Sequence, residues 1–190
     1  MITYILATHN HHKAEEFRSL LSGIQIKTLD DIGFTKDIVE DGSSFEENAK
    51  IKSSTIKAMG YDYVISDDSG LEVEYLDGAP GIYSARYAGV HGDHDANMDK
   101  LLSELTGVES RGAQFRAVLS VWQKEEHRFF EGIVRGRIAD KRLGTGGFGY
   151  DPIFIPEGYT DSFGQLSASV KNSFSHRARA VDALDKYLRK

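Results

Sequence analysis

The chain has 190 residues, 40% of them hydrophobic and 27% charged, with a formal net charge of −6 at pH 7. These values describe a globule with one sizeable core or two small lobes, and they exclude a fibre, a disordered tail and a broad basic face for nucleic acid. The absence of cysteine excludes a disulfide framework and thiolate metal sites, so any metal takes oxygen or imidazole ligands.

The apolar runs are only a few residues long, and Met1 leads straight into ITYILAT. Neither a membrane span nor a signal peptide is expected, and the expected compartment is the cytoplasm. No repeat or low-complexity tract interrupts residues 1–190, which read as a single α/β domain with scope for two lobes. ITYILAT reads as a strand. Residues 12–22 follow as a helix with Ala14, Phe17, Leu20 and Leu21 as its apolar stripe and Gly23 as its stop, and IQIKTL is a short second strand.

Ser44 and Glu47 form a capping-box pattern that opens a helix over 45–59, and Gly60 closes it. Its stripe is Phe45, Ala49, Lys52, Ile56 and Met59, so a lysine lies on the buried face. Either that lysine snorkels to the rim or its ammonium is aimed at an anion. YVIS and LEVEY read as two strands flanking an Asp-Ser-Gly turn. A helix over 95–105 precedes a hairpin of AQFRAVLSVWQ and HRFFEGIVRGRIA around the polar KEE, then a short strand IFI. A last helix spans 175–188, with Ala178, Val181, Leu184 and Leu188 facing inward.

Four stretches carry residues with chemistry. The first, Thr8-His9-Asn10-His11-His12-Lys13, joins a strand to a helix, where free backbone N–H groups and the positive dipole end suit phosphate. A polar loop with Thr8 as the helix cap is the plainer alternative, and three histidines on a turn would splay too far apart for a metal. The second is Asp67-Asp68. Strand alternation sends their side chains to opposite sides, so one enters a cleft while the other caps a turn or pairs with a cation. With Glu40 they form the hard oxygen set that Mg²⁺ takes, completed by water and phosphate.

The third stretch is GTGGFGYDP, residues 144–152. Its glycines allow close approach to a flat ligand, Phe148 and Tyr150 offer stacking surfaces, and Asp151 offers an acceptor for a purine edge. A plain hairpin loop would have the same composition. The fourth, SHRARA at 175–180, places His176, Arg177 and Arg179 in the first turn of a helix, where the dipole disfavours cations. A bound anion or a carboxylate partner would offset that. With Lys13, Lys52 and Lys171 as further cations, the inventory suits a nucleoside triphosphate.

In LATHNHHKAEEF, EDGSSFEENAKIKS, SDDSGLEVEYLDGAPGIYSARYAG, GTGGFGYDPIFIP and SFSHRARA, in that order, the chain resembles the inosine triphosphate pyrophosphatase family nearly end to end. The resemblance implies an elongated, mixed-sheet α/β homodimer with two lobes flanking a substrate cleft. It implies hydrolysis of the noncanonical purine nucleoside triphosphates ITP, dITP and XTP to the monophosphate and pyrophosphate. Residue by residue it implies Thr8, His9, Asn10, His11, His12 and Lys13 as the phosphate turn and Glu40 and Asp68 as Mg²⁺ ligands, Asp68 being also the proton acceptor. Asp67 is left as support and the other candidate acceptor. Lys52 and Ser69 follow as substrate contacts, Phe148, Gly149, Tyr150 and Asp151 as the base loop, and Lys171, His176 and Arg177 as the remaining contacts. His9 stands where the family often has glycine, and Val170 where it often has an acid. A pyrophosphatase for modified pyrimidine nucleotides and a nucleotide sensor without turnover are the rival expectations.

Overall fold

A computed structural model describes residues 2–189. The fold is mixed α/β, built on a six-stranded sheet of order β2-β1-β3-β4-β5-β6. The strands are β1 Thr3–Leu6, β2 Gln25–Thr28, β3 Tyr63–Val73, β4 Gly112–Gln123, β5 Glu126–Ile138 and β6 Phe154–Pro156. The helices are α1 His11–Leu20, α2 Phe45–Lys57, α3 His94–Glu104, α4 Ala168–Phe174 and α5 His176–Leu188. β1 runs parallel to both β2 and β3, with Ile5 opposite Val64, whereas β6 runs antiparallel to β5.

The chain forms two compact units. Unit 1 comprises Met1–Asp68, Ala117–Gly132 and Arg177–Lys190. In unit 1 alternation along β1 sorts its side chains cleanly. Tyr4 and Leu6 pack with Ala14, Phe17 and Leu21 near α1 and with Ala180, Val181 and Leu184 of α5, while Ile5 and Ala7 pack with Leu29, Ile56 and Val64 on the α2 side. Each fully buried Leu, Ile or Phe in these layers stabilises the fold by about 1.5–3 kcal/mol. Unit 2 comprises Ser69–Arg116 and Ile133–His176. Its core gathers Leu71, Val73, Leu101, Phe115, Ile138, Phe154 and Phe163.

Several expectations need correction. YVIS and LEVEY are not two strands around a turn: β3 runs unbroken from Tyr63 to Val73. Partners from other segments hold it in the sheet, the Ser66 hydroxyl donating to the Ala49 carbonyl at 2.5 Å and the Leu71 N–H to Ser84 Oγ at 2.9 Å, so packing overrides turn propensity. Met59 is not on the buried stripe, because α2 ends at Lys57 and leaves it half exposed. The cap of α1 is Asn10, whose side chain accepts from the Lys13 N–H at 3.1 Å, while Thr8 Oγ1 accepts from the Asn10 N–H. α4, capped by Ser167, is a helix that the short and weakly patterned SASVKNSF did not announce.

Candidate active site

β3 carries alternation to its consequence in unit 1. Val64, Ser66 and Asp68 address the α2 side and Ile65 and Asp67 the α1/α5 side, as their partners show. Asp67 is fully buried. Its Oδ1 lies 2.5 Å from Lys13 Nζ, and its Oδ2 accepts from Arg177 Nε at 2.9 Å. Arg177 is itself 1% exposed and also pairs with Glu16. Burial opposes the negative charge of Asp67, yet Arg177 and then Lys13 hold its carboxyl far below the ordinary carboxylate range.

Asp68 sits differently. Lys52 Nζ, at the buried centre of the α2 stripe, is 2.7 Å from Glu40 Oε2 and 3.4 Å from Asp68 Oδ1. The stripe lysine is therefore aimed at carboxylates. Burial raises the Asp68 carboxyl; Lys52 and Lys13 pull it down, Glu40 and Asp67 push it up, and the balance is a rise. For Glu40 burial also acts upward, but Lys52 prevails and its carboxyl is lowered. Lys52 is held in its charged form, since Asp68 and Glu40 outweigh the burial that disfavours it. Asp68 Oδ2 is buried with no hydrogen-bond partner, an unmet acceptor of the kind that calls for explanation.

Glu40 stands on an irregular segment fixed by α2: the Gly42 N–H donates to buried Asn48 Oδ1 at 2.9 Å, and Glu47 Oε2 accepts from the Ser43 N–H at 2.7 Å. Among the described residues no group of three or more His, Cys, Asp or Glu side chains gathers for a metal. The two carboxylates with an orphaned oxygen fit Mg²⁺ on chemical grounds, because that ion keeps several waters and binds through one or two carboxylates plus substrate phosphates.

The first turn is split in use. His9 Nδ1 meets Asp30 Oδ1 at 2.7 Å, and its ring stacks on Phe34, so it secures residues 30–37; His11 and His12 are exposed on α1. Burial acts against the charge on His9, but Asp30 raises its basicity overall.

Unit 2 holds the aromatic loop. Asp151 is buried and accepts from the Phe148 N–H at 2.9 Å and from Lys171 Nζ at 2.7 Å, while that ammonium lies 5.0 Å from the centre of the Phe148 ring. A side chain at Gly147, whose φ is 70°, would collide with the Asp151 carboxylate. Tyr150 is buried and donates to the Ser84 carbonyl at 2.9 Å. His176 lies flat on Phe115, ring centres 4.7 Å apart. Gly149 has a left-handed φ of 62° with open space around it, and Ser69 continues β3.

The structure thus brings Glu40, Lys52 and Asp68 together, and Lys13, Asp67 and Arg177 together, in unit 1; it brings Phe148, Asp151 and Lys171 together in unit 2. His176 and Arg177, both expected as substrate contacts, have separate surroundings: a phenyl ring for one and carboxylates for the other. Sequence reasoning missed Glu16, Asp30, Asn48 and Phe115. Glu16 alone had a usable signal, its i+3 spacing from Lys13 on one helix face.

A strand-to-helix junction that ends in a lysine and an ammonium–carboxylate cluster around Lys52 are features also found in proteins that handle phosphorylated ligands. The Ham1 family model matches residues 4–187. The chain is 47% identical over 189 residues to the dITP/XTP pyrophosphatase of Bacillus licheniformis, covering 97% of this chain and 96% of that protein. The solved Ham1 protein of Staphylococcus aureus superposes with a TM-score of 0.89 at 41% identity, covering 98% of each chain. A Mycobacterium abscessus structure described as a nucleoside-triphosphatase and dITP/XTP pyrophosphatase matches with a TM-score of 0.77 at 40% identity, covering 96% of this chain and 98% of that one. This chain belongs to the Ham1 family.

Proposed function

We propose that this protein hydrolyses the noncanonical purine nucleoside triphosphates ITP, dITP and XTP to the monophosphate and pyrophosphate. The observation that carries the proposal is the set of half-buried Glu40 with buried Lys52 and Asp68, adjoining the Lys13–Asp67–Arg177 network. The dITP/XTP pyrophosphatase name of the B. licheniformis relative supports the substrate class.

Lys13 and Lys52 supply cations for the phosphates. Asp68, which keeps one buried oxygen without a hydrogen bond, is the group placed to orient a water and accept its proton as the water oxygen bonds to the α-phosphorus and the bond to the departing pyrophosphate breaks. Asp67 is too strongly held by Arg177 and Lys13 to serve as that base, and it acts by fixing the Lys13 ammonium. The Mg²⁺ that Glu40 and Asp68 would hold supplies positive charge against developing negative charge on the phosphate oxygens. In unit 2 the Phe148–Asp151 loop, with Lys171 and His176, is the proposed base site, where a 6-oxo purine would satisfy donors that adenine leaves unpaired.

Two further properties belong to the same proposal: a homodimer, which light scattering would test, and residence in the cytoplasm. The latter agrees with the lack of cysteine and with the finding that no helix among the described residues is long and apolar enough to cross a membrane. The activity is tested with purified protein, Mg²⁺ and a panel of ITP, XTP, dITP, GTP, ATP and pyrimidine triphosphates, following pyrophosphate and orthophosphate separately. Pyrophosphate from ITP, dITP and XTP is expected. Release only from pyrimidines, or orthophosphate alone, overturns it.

A further inference from the structure

Lys52 presents a conflict. The residue is 8% exposed, on a helix stripe shared with Phe45, Ala49 and Ile56, and its ammonium donates to Glu40 and Asp68. Those are the oxygens that the reading above gives to a divalent cation, so a fixed ammonium and a metal ion compete for the same pair.

We propose that Lys52 is a built-in counter-ion that holds the Glu40 and Asp68 carboxylates ready in the nucleotide-free protein and keeps metal binding weak until a triphosphate arrives; the inference rests on the metal role proposed for those two residues. Two partly buried carboxylates at one point repel each other, and a cation between them is needed to keep both ionised and in place. The ammonium fills that need, and for the same reason it repels a divalent ion approaching the pair. Triphosphate oxygens give the ammonium a substitute anion and release the carboxylates. Metal and nucleotide then bind cooperatively through one side chain, and the coupling acts equally in both directions. Asp68 Oδ2, which has no hydrogen-bond partner, is the oxygen that Lys52 leaves open for the first contact.

The test uses full-length, nucleotide-free protein titrated with Mn²⁺, an oxygen-seeking stand-in for Mg²⁺, with free Mn²⁺ read by electron paramagnetic resonance. Lys52→Gln is expected to bind Mn²⁺ at least about tenfold more tightly than wild type, because a repelling charge is gone from a partly buried site. Lys52→Arg, which keeps the charge, stays within about threefold of wild type, and adding Asp68→Asn to Lys52→Gln cancels the gain. Lys52→Met replaces Lys52→Gln in the same comparison if the latter does not fold. Equal or weaker Mn²⁺ binding by the neutral variant, with binding still lost in Asp68→Asn, overturns the role of Lys52 and leaves the metal reading standing. If Asp68→Asn changes Mn²⁺ affinity in neither background, the metal reading itself falls and this inference falls with it.

Discussion

Asp67 and Asp68 are chemical twins one residue apart on β3, and the two sides of the strand treat them in opposite ways. On the α1/α5 side Asp67 has a partner for each oxygen, and Arg177 and Lys13 hold its carboxyl far below the usual range. On the α2 side Asp68 shares a single ammonium with Glu40, keeps one buried oxygen without a hydrogen bond, and has its carboxyl raised. A saturated carboxylate fixes its neighbours, whereas a deficient one remains available to a ligand or a proton. Burial is nearly the same for both, so the supply of partners decides the difference.

The comparison breaks most visibly in catalysis. Asp68→Asn removes the available carboxylate at constant shape and is expected to lower kcat by about 10²–10⁴-fold, the usual worth of a positioned acid or base. The melting temperature should hold or rise slightly, since a poorly satisfied charge is lost. Near-normal ITP turnover would show that Asp68 is dispensable. Asp67→Asn should have the opposite profile, a loss of about 3–5 kcal/mol of stability because Arg177 and Lys13 are left as buried charges short of a counter-charge. Urea denaturation measures it, and a variant as stable as wild type would deny Asp67 its structural role.

Acid titration sharpens the same contrast. The Asp67 carboxyl is lowered on folding from an ordinary 3.8, so its contribution to stability is complete above that value and is lost as pH falls through the depressed one. The Asp68 carboxyl is raised from the same 3.8, so the folded state holds its proton more tightly. Its contribution is present below that value and lost as pH rises through the raised one. With metal chelated, urea midpoints taken between about pH 3 and 7 should show the deficit of Asp67→Asn shrinking on acidification and Asp68→Asn gaining on wild type as pH rises. Parallel profiles for the two variants would contradict the assignment of opposite signs.

Legibility followed periodicity. The stripes of α1 and α5 and the β4–β5 hairpin were readable because regular burial writes a period into the sequence. The divergence of Asp67 and Asp68 was readable too, from strand alternation alone. Their unequal fates were not, because these depend on Arg177, 110 positions from Asp67 in sequence, and on Glu16, which pairs with that arginine. The unbroken course of β3 was masked by Asp-Ser-Gly, whose turn preference is local while the partners that override it, Ala49 and Ser84, come from distant segments.

Unit 2 has its own saturated carboxylate, and the smallest predicted effect tests whether it behaves as Asp67 does. Asp151 binds Lys171 and the Phe148 N–H, and Gly147 leaves room for it. Gly147→Ala puts a methyl group in the left-handed region, which costs about 1–2 kcal/mol, and drives that methyl into the Asp151 carboxylate. The Phe148 N–H should lose its acceptor and exchange with solvent faster, read by amide hydrogen exchange. With ITP, KM should rise more than kcat falls, because the loop is proposed to bind the base and to take no part in breaking the phosphate bond. Unaltered exchange at Phe148 would mean that the loop is held by something other than Asp151. A fall confined to kcat would move the loop from binding to chemistry.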